Sequence, residues 1–485
     1  RIDQACTRDL GLIVTDGRDF FSEEKRDAES RVDWIAPGVP GFRLTNTCAR
    51  GRYRIEKEIL SDPRRDAVLQ RTRFVPEQGA IADYRLYVLL APHLGNQGAH
   101  NTAWVERRPE ATVLLARREG VSLALACSTP FLGQSAGFVG FSDGWQDLRA
   151  NRRLTWTYDR AEDGNVALTA EVDLARSDGG FVLALGFGPD PDAAARCAFD
   201  SLRDGFEKAR SDFIAGWQEW QRGLQFPEPG ESGRPDLGPI SAAVLGVHES
   251  KAEPGAIIAS LSIPWGAAKG DDDLGGYHLV WPRDLVEVAG GLLALGAAGD
   301  VRRVIRYLAD QQDPDGHWEQ NMWVDGTPYW RGVQLDETAF PILLVSLAGR
   351  EGAIAADDLA RLWPMVRRAA RYLVVNGPVS PQDRWEEDPG CSPFTLAVSV
   401  AALLAAADLA DRNGEGPVAG YLRDTADFWN DSIERWTYVR GTALCRRYGV
   451  DGYYVRIAPP EVADGASPRQ GFVPVKNRPP GQSTE

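Results

Sequence analysis

Three short segments of the sequence place tryptophan or tyrosine beside charged side chains. They are Asp383–Gly390, Tyr277–Asp284 and Tyr329–Glu337. Binding a carbohydrate requires flat apolar faces for the sugar rings, forked polar groups for neighbouring hydroxyls, and carboxyl groups that can transfer a proton. The segments supply the first two, and the paired carboxylates Glu386 and Glu387 beside Trp385 supply a proton donor. This combination predicts a carbohydrate site.

Individual side chains in these segments have both a functional and a structural interpretation. Flat faces come from six tryptophans, Trp265, Trp281, Trp318, Trp323, Trp330 and Trp385. Arg283 and Asp284 form a donor–acceptor pair for hydroxyls, or alternatively a salt bridge in the first turn of a helix. Glu386 supplies the proton, or alternatively caps the start of a helix together with its neighbour. For Trp330 and Gln334, packing is as well supported as contact with a sugar.

Each segment leads into a stretch that is apolar nearly all round, which predicts a helix buried on every side. These stretches are Asp284–Leu295, Asp336–Leu347 and Pro393–Leu409. Amphipathic stretches alternate with them at Val301–Gln311, Leu359–Val375 and Tyr421–Arg435. The buried stretches begin about 52 and 57 residues apart, a spacing typical of repeated supersecondary units. Inner helices that alternate with outer helices predict an α/α barrel, with the three segments together at one end of the ring.

The helices of this half are too few to close such a ring. With Ile240–Lys251 as a leading helix, about seven helices precede Trp436, whereas six inner–outer pairs would need about twelve. Residues 446–485 are rich in proline, which predicts loops. An open ring would leave apolar surface in water at a cost of about 25 cal/mol per Å². The expected fold is an (α/α)6 barrel that is incomplete in this chain and is completed by further residues or by a second polypeptide.

The first half of the chain has a different pattern. From Tyr53 to about Gly188, short runs alternate apolar and polar residues and are rich in β-branched and aromatic side chains. This predicts many strands with one buried face, and therefore a large antiparallel β-sandwich, or super-sandwich. The predicted organisation is a β-sandwich domain at 1–225 with a helical linker at about 193–225, a Pro/Gly-rich boundary at 226–239, and a catalytic barrel at 240–485.

The composition excludes several classes of partner and cofactor. A net charge of −15 repels phosphate backbones and anionic surfaces, so neither nucleic acid nor a membrane is expected as a partner. Six cysteines without C-x-x-C spacing and five histidines without H-E-x-x-H predict neither a zinc centre nor a dense disulfide framework. No cofactor is expected to be required. The run Asp271-Asp272-Asp273 could hold a structural Ca²⁺ ion, although a solvated loop is the favoured interpretation.

The order and spacing of these motifs resemble those of glycoside hydrolase family 15, the glucoamylase and glucodextranase family. The matching segments are Ile263–Gly266, Gly276–Leu285, Gln320–Trp330, Gln334–Glu337 and Arg384–Glu387. Bacterial members of the family join an N-terminal β-sandwich to an (α/α)6 barrel, so the resemblance extends over the whole chain. It implies an inverting, exo-acting α-glucosidase that releases β-glucose from the non-reducing ends of starch- or dextran-type oligosaccharides.

The resemblance also implies roles for individual residues. Glu386 corresponds to the general acid that protonates the glycosidic oxygen. Arg283 and Asp284 correspond to the pair that binds the glucose at the non-reducing end, and Glu387 to a carboxylate near the next sugar. The implied substrate-binding residues are Tyr277, Trp281, Arg283, Asp284, Trp330, Gln334, Trp385 and Glu387. No metal ligand is implied.

An inverting hydrolase needs a second carboxylate, a general base about 6.5–9.5 Å from the acid. In the family this base lies on a late loop of the barrel, so we expect it beyond residue 485 and not at Glu461. Two alternatives stay open: an inverting disaccharide phosphorylase, in which phosphate attacks and one protein carboxylate suffices, and a non-catalytic glucan-binding protein. The motifs Trp385-Glu386-Glu387 and Trp281-Pro282-Arg283-Asp284 favour the hydrolase over the phosphorylase, and the intact set of Arg283, Asp284 and Glu386 argues against a non-catalytic protein. The specificity is open between α-1,4 linkages, α-1,6 linkages, trehalose and transfer to an acceptor glucan, and a secreted or periplasmic location is slightly favoured.

Overall fold

The computed structural model describes residues 5–226, 237–262 and 274–469. They belong to two compact units, one comprising Arg1–Val247 with Ile263–Gly276, the other His248–Ser262 with Tyr277–Glu485. Most of the predicted boundary at 226–239 lies outside the described residues, and so do Trp265 and the acidic run at 271–273. The first unit is built mainly of strands and the second mainly of helices.

The described residues of the first unit form two antiparallel sheets. The strands are β1 Thr7–Thr15, β2 Phe21–Glu23, β3 Ala28–Trp34, β4 Phe42–Cys48, β5 Tyr53–Ser61, β6 Ala67–Pro76, β7 Arg85–Pro92, β8 Asn101–Arg107, β9 Thr112–Arg118, β10 Val121–Cys127, β11 Phe131–Phe138, β12 Arg160–Gly164, β13 Val166–Val172 and β14 Gly180–Gly188. The smaller sheet has the order β11-β13-β7-β1-β2 and the larger one the order β12-β8-β9-β10-β14-β6-β5-β4-β3. Neighbouring strands run antiparallel in both sheets.

Apolar residues from both sheets meet in one core. In β5 the buried Tyr53 and Ile55 alternate with partly exposed residues, whereas β13 is buried along its whole length. Leu168 of the smaller sheet and Leu125 of the larger one belong to the same cluster of buried side chains as Ile55. Removal of apolar surface from water, at about 25 cal/mol per Å², holds the sheets face to face. The predicted antiparallel β-domain is therefore confirmed.

The first unit also contains helices, two of which cover the second face of the larger sheet. Those described are α1 Glu24–Asp27, α2 Gly144–Asn151, α3 Leu174–Ser177, α4 Pro191–Asp204, α5 Phe206–Arg222 and α6 Gly238–Val247. Ala198 of α4 and Phe213 of α5 share a buried cluster with Leu115 of the sheet, and Gly205, with φ of 90°, separates the two helices. The segment predicted as a helical linker is thus two helices packed on the sheet. The predicted helix Ile240–Lys251 ends at Val247, because the chain is already extended where Glu249 bridges Ile257.

The second unit contains alternating inner and outer helices. Its described helices are α7 Pro282–Ala294, α8 Ala298–Asp310, α9 Leu335–Arg350, α10 Ala356–Asn376, α11 Pro393–Arg412, α12 Gly416–Asn430, α13 Ile433–Thr437 and α14 Ala443–Tyr448. The inner helices α7, α9 and α11 pack side by side in that order. The outer helix α8 packs on α7 and α9, α10 on α9 and α11, and α12 on α11. The predicted alternation is confirmed for these three pairs, and the incompleteness of the ring stays a prediction.

Burial within these helices follows the predicted pattern only in part. In α8 the buried Val301, Ile305 and Leu308 form one face, and Arg302 and Arg306 are exposed on the other, as expected for an outer helix. In the inner helix α11, however, Leu404 is 41% exposed. The prediction that inner helices are buried on every side is wrong at this position, because the described residues leave that side of α11 uncovered.

One described helix, α11, is long and apolar enough to cross a membrane by length and composition alone. Half of its most apolar window is buried inside the fold. Core helices of water-soluble proteins meet the same criterion. The expectation that a membrane is not a partner therefore still depends on the net charge of −15.

The chain after α12 is more ordered than the predicted loop. Two short strands, Tyr438–Arg440 and Gly452–Tyr454, pair with each other, and a 3-10 helix covers Pro460–Asp464. The extended stretch between them forms a bridge in which Cys391 and Ala458 exchange backbone hydrogen bonds of 2.9 Å. A loop assignment from proline content missed this pairing because backbone bridges have no composition signal. None of the six cysteines, all within the described ranges, forms a disulfide.

Candidate active site

The three predicted segments lie at the N-terminal ends of three neighbouring inner helices. Trp281 is the N-cap residue of α7, Gln334 that of α9, and Ser392 that of α11. Asp284, Asp336 and Glu337 fall in first turns, where the unpaired backbone N–H groups favour negative charge. A short hairpin of β15 Asn321–Met322 and β16 Pro328–Trp330 pairs with Val280, which brings Trp330 toward the same end of the unit.

A buried arginine joins the starts of α7 and α9. Arg283 Nη1 donates to Gln334 Oε1 at 2.7 Å and to Asp336 Oδ2 at 2.8 Å, and it lies 3.4 Å from Glu337 Oε1. Burial opposes the charge, but Glu337 and Asp336 raise the pKa of Arg283 above its ordinary value. The alternative of a salt bridge within one helical turn is therefore replaced by an ion pair between two helices. Gln334 is completely buried and supports this arginine.

Asp284 follows Arg283 in the first turn of α7 and is half-buried. Desolvation raises the pKa of its carboxyl above the ordinary value, and the positive charge of Arg283 opposes this shift. A carboxyl in such a place gains when a hydroxyl group donates a hydrogen bond to it, because the bond replaces lost water. The arrangement suits recognition of a sugar hydroxyl next to a fixed cation.

Sequence reasoning gave no role to Glu337, which is the most perturbed carboxyl of the cluster. Its side chain is completely buried, and neither carboxylate oxygen has a hydrogen-bond partner among the described residues. Desolvation, together with the negative charges of Asp336, Asp284 and Glu386, raises the pKa of Glu337 well above its ordinary value, against the pull of Arg283. Glu337 is therefore electrostatically coupled both to the Arg283–Asp284 pair and to Glu386. In the sequence, its position next to Asp336 at the start of a predicted helix was the feature that could have indicated a role for Glu337.

Glu386 lies at the tip of a tight loop and is held by a tryptophan from another helix. Trp281 Nε1 donates to Glu386 Oε1 at 2.7 Å, so two residues predicted together are in contact. Inside the loop, the Glu386 backbone N–H donates to Asp383 O at 2.8 Å and the Glu387 N–H to Asp383 Oδ1 at 3.0 Å. The φ of Glu386 is 65°, in the left-handed region that non-glycine residues rarely occupy.

Several aromatic side chains of the cluster are exposed. Tyr277 is 54%, Trp330 42% and Trp385 60% exposed, and the Tyr277 ring lies 6.0 Å from that of Trp281. Trp385 also lines a cavity of about 250 Å³ with Arg384, Phe394, Tyr454 and Arg456. Large aromatic faces left in water are available to stack against sugar rings. By contrast Trp318, also predicted as a flat face, is completely buried and donates to Leu308 O at 2.9 Å.

The base of the loop that carries Glu386 is held from two directions. Ser380 and Gly390 exchange backbone hydrogen bonds of 3.0 Å, and the adjoining Cys391 pairs with Ala458. Two residues before Ala458, Arg456 Nη1 lies 2.8 Å from both Asp383 Oδ2 and Glu387 Oε2. The loop that presents Glu386 is therefore closed on itself and attached to the C-terminal part of the unit.

Replacing Gly390 by alanine is expected to destabilise this attachment. A Cβ atom there would lie 2.2 Å from the Ala458 carbonyl oxygen, and the φ of 155° also disfavours a side chain. Overpacking of this kind costs about 1–3 kcal/mol, measurable as a loss in the free energy of unfolding by urea. Gly420→Ala is the matched control, since that glycine is exposed on α12 and has open space around it. Equal stability of the two variants would contradict the tight packing at Gly390.

A possible metal-binding group lies away from this cluster. Ligand atoms of Asp313, Asp315 and His317 fall within 4.8 Å of one another. His317 Nδ1 is already within 2.5 Å of Asp315 Oδ1, and its ring stacks on Tyr372 at 4.9 Å. These contacts satisfy the imidazole without an ion. The acidic run at 271–273, the predicted Ca²⁺ candidate, lies outside the described residues.

Comparison with known proteins matches both halves of the chain. Residues 1–222 match the family model described as Glucodextranase, domain N, and residues 240–313 and 315–477 match the model of Glycosyl hydrolases family 15. A glucoamylase of Clostridium sp. (strain G0005) is 37% identical over 458 residues, which cover 94% of this chain and 63% of that protein. An uncharacterized glycosyl hydrolase of Methanocaldococcus jannaschii is 27% identical over 33% of this chain and 25% of its own length.

A solved structure gives the same result for the fold. The crystal structure of a bacterial glucoamylase complexed with acarbose superposes with a TM-score of 0.86 and 36% identity, covering 94% of this chain and 65% of that one. The chain thus spans less than two thirds of the length of these two glucoamylases.

Proposed function

This chain belongs to glycosyl hydrolase family 15, and on that premise we propose that it contains the general acid of a glucoamylase-type active site, which hydrolyses α-glucosidic bonds in glucans. One observation supports this most directly. Glu386 is hydrogen-bonded to Trp281 Nε1 at 2.7 Å and is electrostatically coupled to the cluster that contains Arg283 and Asp284. A proton donor and a hydroxyl-binding pair are thereby assembled at adjoining helix starts.

In the proposed reaction Glu386 gives its proton to the glycosidic oxygen as the bond to the anomeric carbon breaks. The indole of Trp281 fixes one carboxyl oxygen, which leaves the other oxygen to carry the proton. Asp284 and Arg283 bind the glucose at the non-reducing end. We propose exo-action, in which this pair closes the pocket beyond that glucose. Tyr277, Trp330 and Trp385 stack against the sugars, and Glu387 lies near the next one.

We further propose inversion at the anomeric carbon, with release of β-glucose. Inversion requires a base that activates water on the opposite face of the sugar, about 6.5–9.5 Å from the acid. We propose that this base lies in a later loop of the family's barrel, as the resemblance implies. Glu337 does not suit the role of base, because burial raises the pKa of its carboxyl well above the ordinary value.

The test of the proposed function is glucose release from maltooligosaccharides and isomaltooligosaccharides in phosphate-free buffer, with the anomer identified by NMR. Immediate appearance of β-glucose supports the inverting hydrolase. Faster release from one of the two oligosaccharide series identifies the linkage that is hydrolysed. Release that requires added phosphate and gives a sugar phosphate would point to the phosphorylase. Tight binding without turnover would point to a glucan-binding protein.

Replacing Asp284 by asparagine is expected to lower kcat/KM by about 10–100-fold, because a hydrogen bond to a charged group contributes about 1.5–3 kcal/mol. The unfolding free energy should change little, since asparagine keeps the shape of the side chain. Glu287→Gln, on an exposed position of the same helix, is the matched control and should leave kcat/KM unaltered. An Asp284→Asn variant with the kcat/KM of the native protein would remove Asp284 from the pocket.

A further inference from the structure

The loop that carries Glu386 contains more negative charge than its own residues can balance. Asp383, Glu387 and Asp388 have side chains that are 1%, 7% and 14% exposed. Carboxylates withdrawn from water at this density repel one another unless a cation lies among them. The cation within the loop, Arg384, lies over the Phe394 ring, 4.4 Å from its centroid. The balancing charge must therefore come from elsewhere in the chain.

That charge is Arg456. Its Nη1 lies 2.8 Å from Asp383 Oδ2 and donates to Glu387 Oε2 at 2.8 Å, and its Nη2 lies 3.8 Å from Asp388 Oδ2. A planar guanidinium can contact several carboxylates at fixed angles, which the single ammonium group of lysine does less well. One arginine thus contacts the residues on both sides of Glu386.

The backbone of Arg456 is itself fixed in register. Two residues later, Ala458 exchanges hydrogen bonds with Cys391, and the Gly390 Cα approaches the Ala458 carbonyl so closely that no side chain fits there. Val455 is bound in turn through its N–H to Thr437 O at 2.9 Å. The guanidinium is therefore held next to the loop by an extended segment whose register is fixed by backbone hydrogen bonds on both sides of Arg456.

The backbone conformation at Glu386 explains why such support is needed. A non-glycine residue in the left-handed region, here with φ of 65°, costs about 1–3 kcal/mol and persists only where the surroundings hold it. The contacts that hold this turn run through Asp383, whose backbone oxygen and side chain accept the N–H groups of Glu386 and Glu387. Asp383 is the carboxylate that Arg456 contacts.

We propose that Arg456 is a positioning residue, which holds the Ser380–Gly390 loop so that Glu386 reaches the glycosidic oxygen and Glu387 the adjoining sugar. This proposal rests on the proposed function for its catalytic consequence, but the effect on the loop is independent of turnover. Loss of the guanidinium releases the turn around Asp383, and the acid then samples positions from which it does not reach the oxygen. Misplacement by about 1 Å can cost about 100-fold in rate.

The experiment compares Arg456→Met and Arg456→Lys with the control Arg446→Met, whose exposed arginine donates to Gly441 O at 3.0 Å outside the loop. The first measurement is hydrogen–deuterium exchange of peptides from 381–391, with helix α10 as the internal reference. We expect exchange in the loop to be faster by about tenfold or more in Arg456→Met, with α10 and the control variant unchanged. The lysine variant, which keeps the charge, should fall in between.

The second measurement separates positioning of the acid from general loss of structure. Maltose needs a proton on its leaving group, whereas fluoride leaves α-glucosyl fluoride without one. We expect the ratio of kcat/KM for maltose to that for the fluoride to fall by about 10–100-fold in Arg456→Met and less in Arg456→Lys. An equal loss on both substrates would overturn the positioning role.

Unchanged loop exchange in Arg456→Met would also overturn the proposal. If that variant does not fold, Arg456→Lys decides the question, since native exchange and a native substrate ratio in it would show that the guanidinium geometry is unnecessary. If the native protein hydrolyses neither substrate, the proposed function fails while the exchange measurement still tests the loop.

Discussion

Replacing Glu386 by glutamine is expected to lower kcat on maltotriose by about 10²–10⁴-fold, while KM changes little. Glutamine has the same size and still offers an oxygen to the Trp281 Nε1–H group, which donates at 2.7 Å in the native protein. It has no proton to give, so the departing sugar must leave as an alkoxide. The measurement is steady-state glucose release, with α-glucosyl fluoride as a second substrate on which the variant should lose much less.

Glu461→Gln is the matched control for this variant. Glu461 is an exposed glutamate in the 3-10 helix Pro460–Asp464 and is expected to have no role in the reaction. Near-native kcat in Glu386→Gln would remove Glu386 from the acid role. A collapse of activity in Glu461→Gln would instead identify Glu461 with the base that we propose to lie elsewhere.

Replacing Arg283 by methionine is expected to lower the free energy of unfolding by about 3–5 kcal/mol, the usual cost of breaking a buried ion pair from one side. Methionine fills most of the volume but leaves Asp336, which is completely buried, without its cation at 2.8 Å. The Gln334 carbonyl oxygen loses its donor at the same time. The loss should appear as a lower midpoint of thermal and urea unfolding, and kcat/KM should also fall because the pair that we propose to bind the sugar is broken.

Arg306→Met is the control for that experiment. Arg306 is exposed on α8, and surface substitutions of this kind change stability by about 0.5 kcal/mol or less. Arg283→Lys adds a test of position, because lysine keeps the charge but its shorter side chain does not place a nitrogen where Nη1 contacts both Gln334 and Asp336. If Arg283→Met unfolded at the native midpoint, the buried ion pair would not hold α7 to α9.

Local sequence patterns predicted those features that depend on residues close together in the chain. Apolar periodicity identified the inner and outer helices, because a helix that buries one face carries its apolar side chains at a regular spacing. Strands were recognised from Tyr53 onward for the same reason, whereas β1 to β4, which precede Tyr53, were not identified. Trp281, Arg283, Asp284 and Glu386 were singled out together, and the structure places them in one cluster at the starts of α7, α9 and α11.

Features that depend on contacts between distant residues could not be predicted in this way. Arg456 lies in a stretch whose prolines indicated a loop, and its contact with Glu387 spans 69 residues. The burial of Glu337 follows from the packing of α9 against α7, and its sequence neighbours do not encode it. At Leu404 the apolar pattern predicted burial, but the side chain is exposed. Such a pattern does not reveal whether a neighbouring element covers that side of the helix.

The bridge between Cys391 and Ala458 also has a consequence for the order of folding. Every motif that identifies the site is present once the chain has reached Glu387, yet the segment that pins the loop is made later. Closing a connection of this length costs entropy that is recovered only when the contacts at both ends form. We therefore expect Glu386 to be held in its left-handed conformation only after the segment around Ala458 has been synthesised and has paired with Cys391.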